Sequence, residues 1–365
     1  MKLKGISVME KLKVAVIGVG SISQLHIESY RKLPNVELYA FCDIRPERLE
    51  MMGKKYGVTR LYTDEAEMLA ALPELDMVSV CTWNSAHAPC AIMALNAGKH
   101  VLVEKPMATT VEEGLAMQEA AERNGKTLMI AFVRRYGRDC EVVKDFIADG
   151  QLGELYYAKA SYLRRHGNPG GWFSNVAMSG GGPLIDLGVH VIDLARYIFG
   201  NPKPVSVYGV AFNKLGSRDH LNKKKQSGEY VSSTAGDSDI CDCEDFASAL
   251  VRFDNGAVLN VEVSFDMHSP SENGLKILGT KAGVHILDNG VKFYNETAGY
   301  LTDLEIHAKT ALDVHDAFAD EIRHFVDCTQ GRATCKSPAE DGVELMKILR
   351  AIYKSAETGH EVVIG

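Results

Sequence analysis

Short apolar segments alternate with amphipathic segments along the first third of the chain. The apolar segments have the length of buried strands, and the segments between them carry apolar residues at helical spacing. This alternation predicts a parallel sheet with helices on both faces and right-handed crossovers. The predicted strands are 13–17, 36–42, 77–81, 100–103 and 127–132. The predicted helices are one that ends near residue 33, followed by 46–56, 64–72, 86–97 and 110–124.

The pattern changes at Gly153, after which apolar segments follow one another through polar turns. Consecutive strands of this kind predict a mostly antiparallel sheet. A helix over residues 183–199 is predicted on one face of that sheet. The predicted strands are 155–162, 205–212, 246–253, 257–265, 275–278, 284–287 and 362–364. Two helices, 314–329 and 338–358, precede the last strand.

The two patterns predict two domains, which suits a chain of 365 residues. The expected fold class is α/β, with an N-terminal doubly wound parallel sheet and a C-terminal α+β domain built on a large, mostly antiparallel open sheet. We assign residues 1–12 to a lead-in, 13–136 to the first domain and 137–365 to the second. The final helices, 314–329 and 338–358, are candidates to pack on the first domain as well as on the second. The polar span 214–239 is a long loop, and a lid, a subunit-contact arm and a mobile segment are all open interpretations.

A glycine turn joins the first predicted strand to the first predicted helix. Gly18 permits the tight turn, and Gly20 lets the backbone approach a diphosphate at the positive end of the helix. Ser21 and Ile22 follow, and Ser23 stands at the third fingerprint position, where glycine or alanine is usual. Strand, glycine turn and helix in this order predict a Rossmann domain that binds a dinucleotide.

Asp43 ends the second predicted strand, 23 residues after Gly20. A carboxylate at this distance suits the adenosine ribose hydroxyls and repels the 2′-phosphate of NADP, so it favours NAD. Ile44 and Arg45 come next, and an arginine there is able to pair with that phosphate, which keeps NADP possible. The alternative is that Asp43 is only a turn residue before Pro46.

Polar residues also follow the ends of later strands, where open parallel sheets bind their ligands. Thr82, Asn84 and His87 come after the third predicted strand, and Glu104 and Lys105 come after the fourth. We expect these side chains to line the ligand crevice.

The stretch 179–193 combines a run of three glycines with the start of a helix. The glycines predict a loop that passes close to a ligand. Asp186 and His190 are four residues apart, so an α-helix places them on one face. A carboxylate beside an imidazole is a candidate pair for proton transfer. The alternative is a capping aspartate and a histidine that faces the core.

Composition narrows the possible partners. The formal charge of −8 and the sequence pI near 5.9 argue against nucleic acid or a membrane surface as the partner. We expect neither a membrane span nor a signal peptide. Eight scattered cysteines suit reduced thiols in a cytoplasm. Cys241 and Cys243 lack a second pair at zinc spacing, so no metal site is expected.

The chain resembles the Gfo/Idh/MocA oxidoreductases over nearly its whole length. The resemblance rests on the glycine turn 18–23, on the segment 104–106 (Glu-Lys-Pro) and on the spacing of Asp186, His190 and Asp193. It implies that Lys105, Asp186 and His190 carry catalysis and that Asp193 is structural. It also implies an open sheet that forms contacts in a homodimer or homotetramer.

The same resemblance implies the roles of several loop residues. Asn84 and His87 are expected along the cofactor, and Glu104 near the nicotinamide ribose. Arg134, at the end of the last strand of the first domain, is expected at substrate or cofactor. His166 and Trp172, with Asn168 between them, are expected in the sugar pocket, although each is equally interpretable as a surface or packing residue.

We therefore expect an enzyme that binds NAD, with NADP as the alternative cofactor, and that transfers hydride from a secondary hydroxyl of a sugar, cyclitol or glycoside. In the expected chemistry, His190 takes the hydroxyl proton and Lys105 stabilises negative charge on the oxygen. Lys105 is the other candidate for the base. One alternative function is a glycoside-cleaving enzyme that holds NAD and recycles it. A second is a regulator that binds NAD without catalysis.

Overall fold

The computed structural model describes residues 11–218, 221 and 240–365. A six-stranded parallel sheet forms the first domain in the order β3-β2-β1-β4-β5-β6. Its strands are β1 (Leu12–Ile17), β2 (Val36–Cys42), β3 (Leu61–Tyr62), β4 (Met77–Val80), β5 (His100–Val103) and β6 (Leu128–Ile130). Its helices are α1 (Ser23–Arg31), α2 (Pro46–Tyr56), α3 (Glu65–Ala71), α4 (His87–Asn96) and α5 (Val111–Asn124). This is the strand order of a doubly wound dinucleotide-binding domain, as predicted.

A nine-stranded sheet forms most of the second domain, in the order β14-β13-β12-β11-β7-β10-β9-β8-β15. Only the β7 and β10 pair is parallel, and all other neighbours are antiparallel. Its strands are β7 (Leu155–Leu163), β8 (Pro204–Phe212), β9 (Phe246–Phe253), β10 (Val258–Ser264), β11 (Glu272–Gly279), β12 (Ala282–Leu287), β13 (Gly290–Thr297), β14 (Tyr300–Leu304) and β15 (Val362–Val363). Its helices are α6 (Arg138–Ala148), α7 (Val176–Ser179), α8 (Val189–Ile198), α9 (Val314–Thr329) and α10 (Ala339–Thr358).

Helices cover one face of the nine-stranded sheet. Helix α8 contacts β7 and β10 with buried apolar side chains such as Val191, Leu194 and Ile198. Helix α10 packs on β8 and also on α5, and α9 packs on α1. Helix α10 therefore joins the second sheet to the first domain, whereas the contacts given for α9 are with the first domain.

The structure also contains elements that the pattern of apolar residues does not predict. Residues 137–152 received no assignment, yet α6 forms there and buries Cys140, Val142 and Val143. The strands β13 and β14 follow the last predicted hairpin of the sheet, and β14 is an edge strand whose side chains are mostly exposed. An edge strand without a buried face lacks the alternation on which the prediction depends. The loop assigned to 214–239 lies mostly outside the described residues.

Candidate active site

The glycine turn has the geometry that a dinucleotide site requires. Gly18 has φ +80°, and a Cβ at this position would lie 2.7 Å from the Cys81 carbonyl group. Helix α1 begins without a side-chain cap and without an acidic residue in its first turn. No side-chain acceptor therefore occupies this end of the helix, where Gln24 N and Leu25 N donate to the Ser21 and Ile22 carbonyl oxygens, and the helix dipole favours a negative charge there. A dinucleotide diphosphate fits this end of the helix.

Asp43 is held at the edge of the same turn. Its Oδ2 accepts a hydrogen bond from Val19 N at 2.8 Å, and its Oδ1 accepts one from Arg45 N at 2.9 Å. The exposed side chain of Ile44 lies next to it. A carboxylate fixed in this way suits ribose hydroxyls. Arg48, which the sequence analysis did not select, places Nη1 3.7 Å from the position of a Gly20 Cβ.

A cavity of about 630 Å³ lies between the two domains, next to this turn. Gly18, Gly20, Asp43, Ile44 and Arg45 are outside it, at the adenosine end of the predicted dinucleotide site. The cavity lining contains most of the other predicted residues, namely Ser21, Ile22, Thr82, Asn84, His87, Glu104, Lys105, Arg134, Trp172, Asp186 and His190. The fold thus brings together residues that follow four parallel strands, β1, β4, β5 and β6, and residues of the second domain.

Lys105 and Asp186 form an ion pair across the domain boundary. Lys105 Nζ donates to Asp186 Oδ1 at 2.9 Å and to the Asp186 carbonyl oxygen at 3.1 Å. Both side chains are 15% exposed, to the cavity that they line. The ion pair fixes the position of Lys105 Nζ, which donates both hydrogen bonds to Asp186.

The predicted pairing of Asp186 with His190 does not occur. Among the described residues, the side chain of Asp186 accepts a hydrogen bond from Lys105, and none links it to His190. Residues Leu184–Gly188 form a π-helical turn that leads into α8. A π turn changes the rotation per residue, so the i, i+4 rule for α-helices no longer applies across it.

His190 lines the cavity at the start of α8. Burial lowers the pKa of His190 well below its usual range, and the positive charges of Lys105, Arg134 and Arg164 lower it further. The imidazole is therefore neutral in the resting protein and has a lone pair available. A neutral imidazole beside a fixed ammonium group is an arrangement for proton transfer.

Glu104 is anchored by a residue that the sequence analysis missed. Its Oε1 lies 2.8 Å from Nε2 of His26, which is fully buried on α1. Burial alone would raise the pKa of Glu104, but the hydrogen bond with His26 and the charge of Lys105 keep that pKa below its ordinary value. Phe318 of α9 packs on the His26 ring, with centroids 5.6 Å apart. No spacing in the sequence connects His26 to Glu104, because the contact depends on how α1 lies on the sheet.

Asn84 and His87 line the cavity while their polar atoms bind the protein. Asn84 Nδ2 donates to the Ser179 carbonyl oxygen at 2.7 Å. His87 Nδ1 lies 2.7 Å from the Pro106 carbonyl oxygen, and Nε2 lies 3.1 Å from that of Thr82. Burial lowers the pKa of His87, so its ring is neutral. The two side chains therefore shape the cofactor side of the cavity by holding its loops.

The glycine run before the π turn packs against the protein itself, and this corrects the expectation of a loop opened for a ligand. A Cβ at Gly181 would collide with the Tyr353 hydroxyl, and one at Gly182 with the Glu244 backbone. The buried Glu244 carboxylate accepts hydrogen bonds from Gly182 N at 2.9 Å and Leu184 N at 3.1 Å. These glycines let Glu244 cap the segment that carries Asp186.

Asp193 belongs to a buried ion-pair network behind α8, which agrees with the structural role expected for it. Arg135 donates to both Asp193 oxygens, at 2.9 and 2.6 Å, and to Asp341 Oδ2 at 2.7 Å. Arg196 Nη1 donates to the other Asp341 oxygen at 2.8 Å. The network connects the end of β6 with α8 and α10, so it fixes the helix that presents His190.

The residues predicted for the sugar pocket divide into two groups. Trp172 lines the cavity and stacks on Phe173 with centroids 3.8 Å apart. His166 is outside the cavity lining, because its Nδ1 is bound at 2.6 Å to Oδ1 of the buried Asp266. Asn168 closes its own loop, since its Oδ1 accepts from Gly170 N and Ser174 Oγ. The prediction that His166 contacts substrate is therefore not supported by its position.

The cavity also has polar lining residues that sequence reasoning did not select: Tyr162, Arg164, Asn273 and Asp288. They lie at the ends of β7, β11 and β12, where only the pairing of distant strands brings them together. Arg134 was selected, and its Nη2 donates to Asp139 Oδ2 at 2.6 Å.

In the described part of the chain, no group of three or more His, Cys, Asp or Glu residues is arranged to hold a metal ion. No helix in the same residues has the length and apolarity of a membrane span.

Two family models match the chain. The model of the oxidoreductase family with an NAD-binding Rossmann fold covers residues 12–132, and the model of its C-terminal alpha/beta domain covers residues 144–364. The chain belongs to the Gfo/Idh/MocA oxidoreductase family. Its first domain is an NAD-binding Rossmann domain, as the glycine turn predicted.

Individual relatives agree with this assignment. The chain is 33% identical over 370 residues to D-glucoside 3-dehydrogenase of Escherichia coli (strain K12), with 99% of each chain covered. It is 25% identical to myo-inositol 2-dehydrogenase of Thermotoga maritima, covering 96% of this chain and 98% of the other. The solved aldose-aldose oxidoreductase from Caulobacter crescentus is 26% identical and superposes with a TM-score of 0.79 over 97% of this chain and 100% of that one. These similarities confirm the predicted class, NAD(P)-dependent dehydrogenases that act on sugar or cyclitol hydroxyls.

Proposed function

We propose that the enzyme oxidises the C3 hydroxyl of a D-glucoside to a 3-keto glucoside with NAD as the hydride acceptor. The similarity to D-glucoside 3-dehydrogenase over 99% of both chains supports the substrate class. The observation that carries the chemistry is the cavity, in which a neutral imidazole and a fixed ammonium group lie beside the NAD-binding domain.

In the proposed reaction, Lys105 Nζ donates a hydrogen bond to the hydroxyl oxygen that is oxidised. An imidazole nitrogen of His190 accepts the hydroxyl proton. Asp186 Oδ1 holds Lys105 in place, so Lys105 acts as the hydrogen-bond donor and the neutral His190 as the base. NAD, when bound, supplies the acceptor for the hydride that leaves C3. Glu104, held by His26, shapes the site of the nicotinamide ribose.

Arg134 and Trp172 are the proposed contacts to the sugar, together with Asp186 and His190. Gly18, Gly20, Ser21, Ile22 and Asp43 are proposed to bind the diphosphate and adenosine of NAD. Ile44, Arg45, Thr82, Asn84 and His87 complete the proposed cofactor site. The carboxylate of Asp43 beside the glycine turn supports NAD over NADP, because a 2′-phosphate would be repelled there.

The proposal is tested by following NADH absorbance with NAD or NADP as oxidant. The substrates are methyl α- and β-D-glucosides, inositols, free aldoses and aryl glucosides, and products are identified by NMR. We expect NADH from the glucosides, a 3-keto product, and a lower rate with NADP. Oxidation of inositols without glucosides would replace the proposed substrate. Cleavage of aryl glucosides without net NADH would indicate the NAD-recycling glycosidase.

The outer face of the nine-stranded sheet supports a homo-oligomer. Large apolar side chains on this face remain exposed, and Tyr208 and Leu250 are cross-strand neighbours among them. Tyr156, Val205, Phe212 and Tyr294 are further exposed apolar residues on its strands. An exposed apolar surface of this kind is typical of an interface. We propose that a second copy of the chain covers it, in a homodimer or a homotetramer.

We also propose a cytoplasmic enzyme. All eight cysteines are free thiols in the structure. Reduced cysteines are usual in the cytoplasm, whereas oxidising compartments favour disulfides. Fractionation of the producing cells with an antibody to the protein tests this location, and recovery from an extracellular fraction would contradict it.

A further inference from the structure

The wall of the cavity formed by the second domain is chemically different from the wall that carries Lys105. We call it the sheet wall and define it by six lining residues: Tyr162, Arg164, Trp172, Phe173, Asn273 and Asp288. None of them exchanges a proton or a hydride in the proposed reaction. Trp172 is proposed only as a contact to the sugar, and Arg164 affects the proton transfer only through its charge, which lowers the pKa of His190. The sheet wall therefore has surface that the oxidised glucose ring does not need for its chemistry.

Strand pairing places the polar part of the sheet wall in one area. Tyr162 of β7 is opposite Asn273 of β11, and Asn273 Nδ2 donates to Asp288 Oδ1 at 2.6 Å. Along β11 the side chains change from buried Leu275 to partly exposed Asn273, and Asp288 is exposed. The cavity thus opens to solvent at this end of β11 and β12. A substituent that is attached to the glucose ring and extends in this direction has room in the cavity.

Two aromatic rings provide an apolar surface in the same wall. Trp172 and Phe173 stack on each other, and both remain partly exposed while lining the cavity. A pair of stacked rings is already ordered, so contact with a ligand requires little further loss of side-chain freedom. The C–H face of a pyranose ring is a flat apolar surface that suits such a platform.

Arg164 provides hydrogen-bond donors beside these rings. Its Nη1 donates to the Gly167 carbonyl oxygen at 3.0 Å, and its Nη2 lies 3.5 Å from the Tyr162 hydroxyl. Lys105 and Arg134 are each paired with a carboxylate, whereas Arg164 has no carboxylate within ion-pair distance among the described residues. A planar guanidinium with spare donors, together with an amide and a carboxylate, matches the mixed donors and acceptors of sugar hydroxyls. Asp288 in the same wall disfavours an anionic group.

From these features we propose that the sheet wall binds a second, uncharged sugar ring, so that the preferred substrates are glucosides whose aglycone is itself a sugar. The inference rests on the proposed glucoside 3-dehydrogenase activity and specifies its substrate. Trp172 stacks on the second ring, and Arg164, Asn273 and Asp288 bind its hydroxyls. The first ring occupies the space between Lys105 and His190.

The test compares steady-state NADH formation from methyl D-glucosides with that from the methyl glycosides of glucosyl-glucose disaccharides of each linkage. We expect at least one disaccharide to have a kcat/KM about tenfold above that of the methyl glucoside, mainly through a lower KM. We expect W172A to lower kcat/KM about tenfold more for that disaccharide than for the methyl glucoside, and N273A to change the ratio in the same direction. The matched control is Y300A, which removes an exposed tyrosine on β14 that lies outside the cavity.

The possible results separate the inference from the function on which it rests. If the kcat/KM of methyl glucosides equals that of every disaccharide, the second-ring site is wrong and the glucoside activity stands. The same conclusion follows if W172A and N273A lower kcat/KM equally for the two kinds of substrate. A preference for aryl glucosides over every disaccharide would also overturn it. If no glucoside of either kind gives NADH, the proposed function itself is wrong, and the inference fails with it.

Discussion

At the scale of single residues, Lys105 and His190 have different roles in the proposed reaction. Lys105 Nζ is held in an ion pair, because Asp186 Oδ1 lies 2.9 Å from it, and His190 is neutral because burial and nearby cations disfavour the imidazolium form. The sequence supplied both residues but left the base undecided between them. We propose His190 as the base, because its imidazole is neutral, whereas Lys105 Nζ is held in the ion pair with Asp186.

The first prediction concerns the removal of the base. We expect H190Q to lower kcat by about 10²–10⁴-fold, because general-base assistance contributes factors of this size. The binding of NAD, measured by titration of protein fluorescence, should change little. The matched control is H166Q, since His166 is bound to Asp266 outside the cavity, and this variant should keep kcat within a few-fold of wild type. Equal losses in the two variants would contradict the assignment.

The second prediction concerns the pH profile. Arg164 is one of the cations that lower the pKa of His190. Removing its charge in R164Q raises that pKa, so a larger fraction of His190 is protonated at any acidic pH. The acidic limb of the profile of kcat/KM against pH should therefore move to higher pH. In R165Q, which alters an exposed arginine outside the cavity lining, the limb should stay in place. A shift of the R164Q limb to lower pH would contradict the electrostatic argument.

At the scale of secondary-structure elements, the site depends on how helices are held. The π turn at Leu184–Gly188 is capped by Glu244, and α8 is fixed from behind by Arg135 through Asp193. The periodicity of apolar residues predicted the helical segment, and the spacing of Asp186, His190 and Asp193 marked it as functional. Neither the periodicity nor the spacing predicts the π turn or the partners Glu244 and Arg135, because these depend on contacts between elements distant in sequence.

Helix α9 carries a buried carboxyl group with no hydrogen-bond partner. Both side-chain oxygens of Glu321 are buried and unpartnered in the described part of the chain. Burial, with the nearby Glu104 and Asp193, raises the pKa of Glu321 well above its usual range. The folded protein therefore keeps a proton on Glu321 that the unfolded chain releases above about pH 4.3. The contribution of Glu321 to the stability of the fold therefore falls with rising pH above about pH 4.3, because the unfolded chain binds fewer protons there.

The third prediction follows from this linkage. E321Q has a neutral side chain of similar shape, so at pH 7 its Tm should exceed that of wild type. The expected increase is about 2–4 °C for each kcal/mol by which the free energy of unfolding rises. The difference should shrink towards zero as the pH approaches about 4, where the unfolded chain also holds the proton. D320N, at the adjacent exposed position of α9, should lack this pH dependence. A Tm difference for E321Q that does not vary with pH would contradict a neutral buried Glu321.

At the scale of the whole molecule, the sequence predicted two sheets and their order along the chain, and the structure agrees. It did not predict the contacts between the domains that complete the site. The Lys105–Asp186 pair and the Asn84–Ser179 contact join residues on opposite sides of the cleft. The sheet wall depends in the same way on the pairing of β7, β11 and β12. Motifs identify residues that carry chemistry, whereas residues that shape a pocket become visible only when distant strands are paired.

The fourth prediction concerns the exposed sheet face. Wild-type protein should have a mass in solution of two or four times 39.9 kDa by light scattering. The double variant Y208K/L250K places two charges on neighbouring exposed positions and should lower that mass to a single chain. Circular dichroism checks that the variant remains folded. The control M51K alters an exposed apolar residue on α2 and should not change the mass. A monomeric wild-type protein would contradict the proposed oligomer.

The central claim is that hydride leaves C3 of a glucoside for the nicotinamide, and isotope transfer tests it most directly. Methyl glucoside that carries deuterium at C3 is incubated with the enzyme and NAD, and both products are analysed by NMR. The account predicts deuterium on the reduced nicotinamide and a 3-keto glucoside in equal amount. Retention of the label in the sugar while NADH forms, or loss of the aglycone without net NADH, would contradict it.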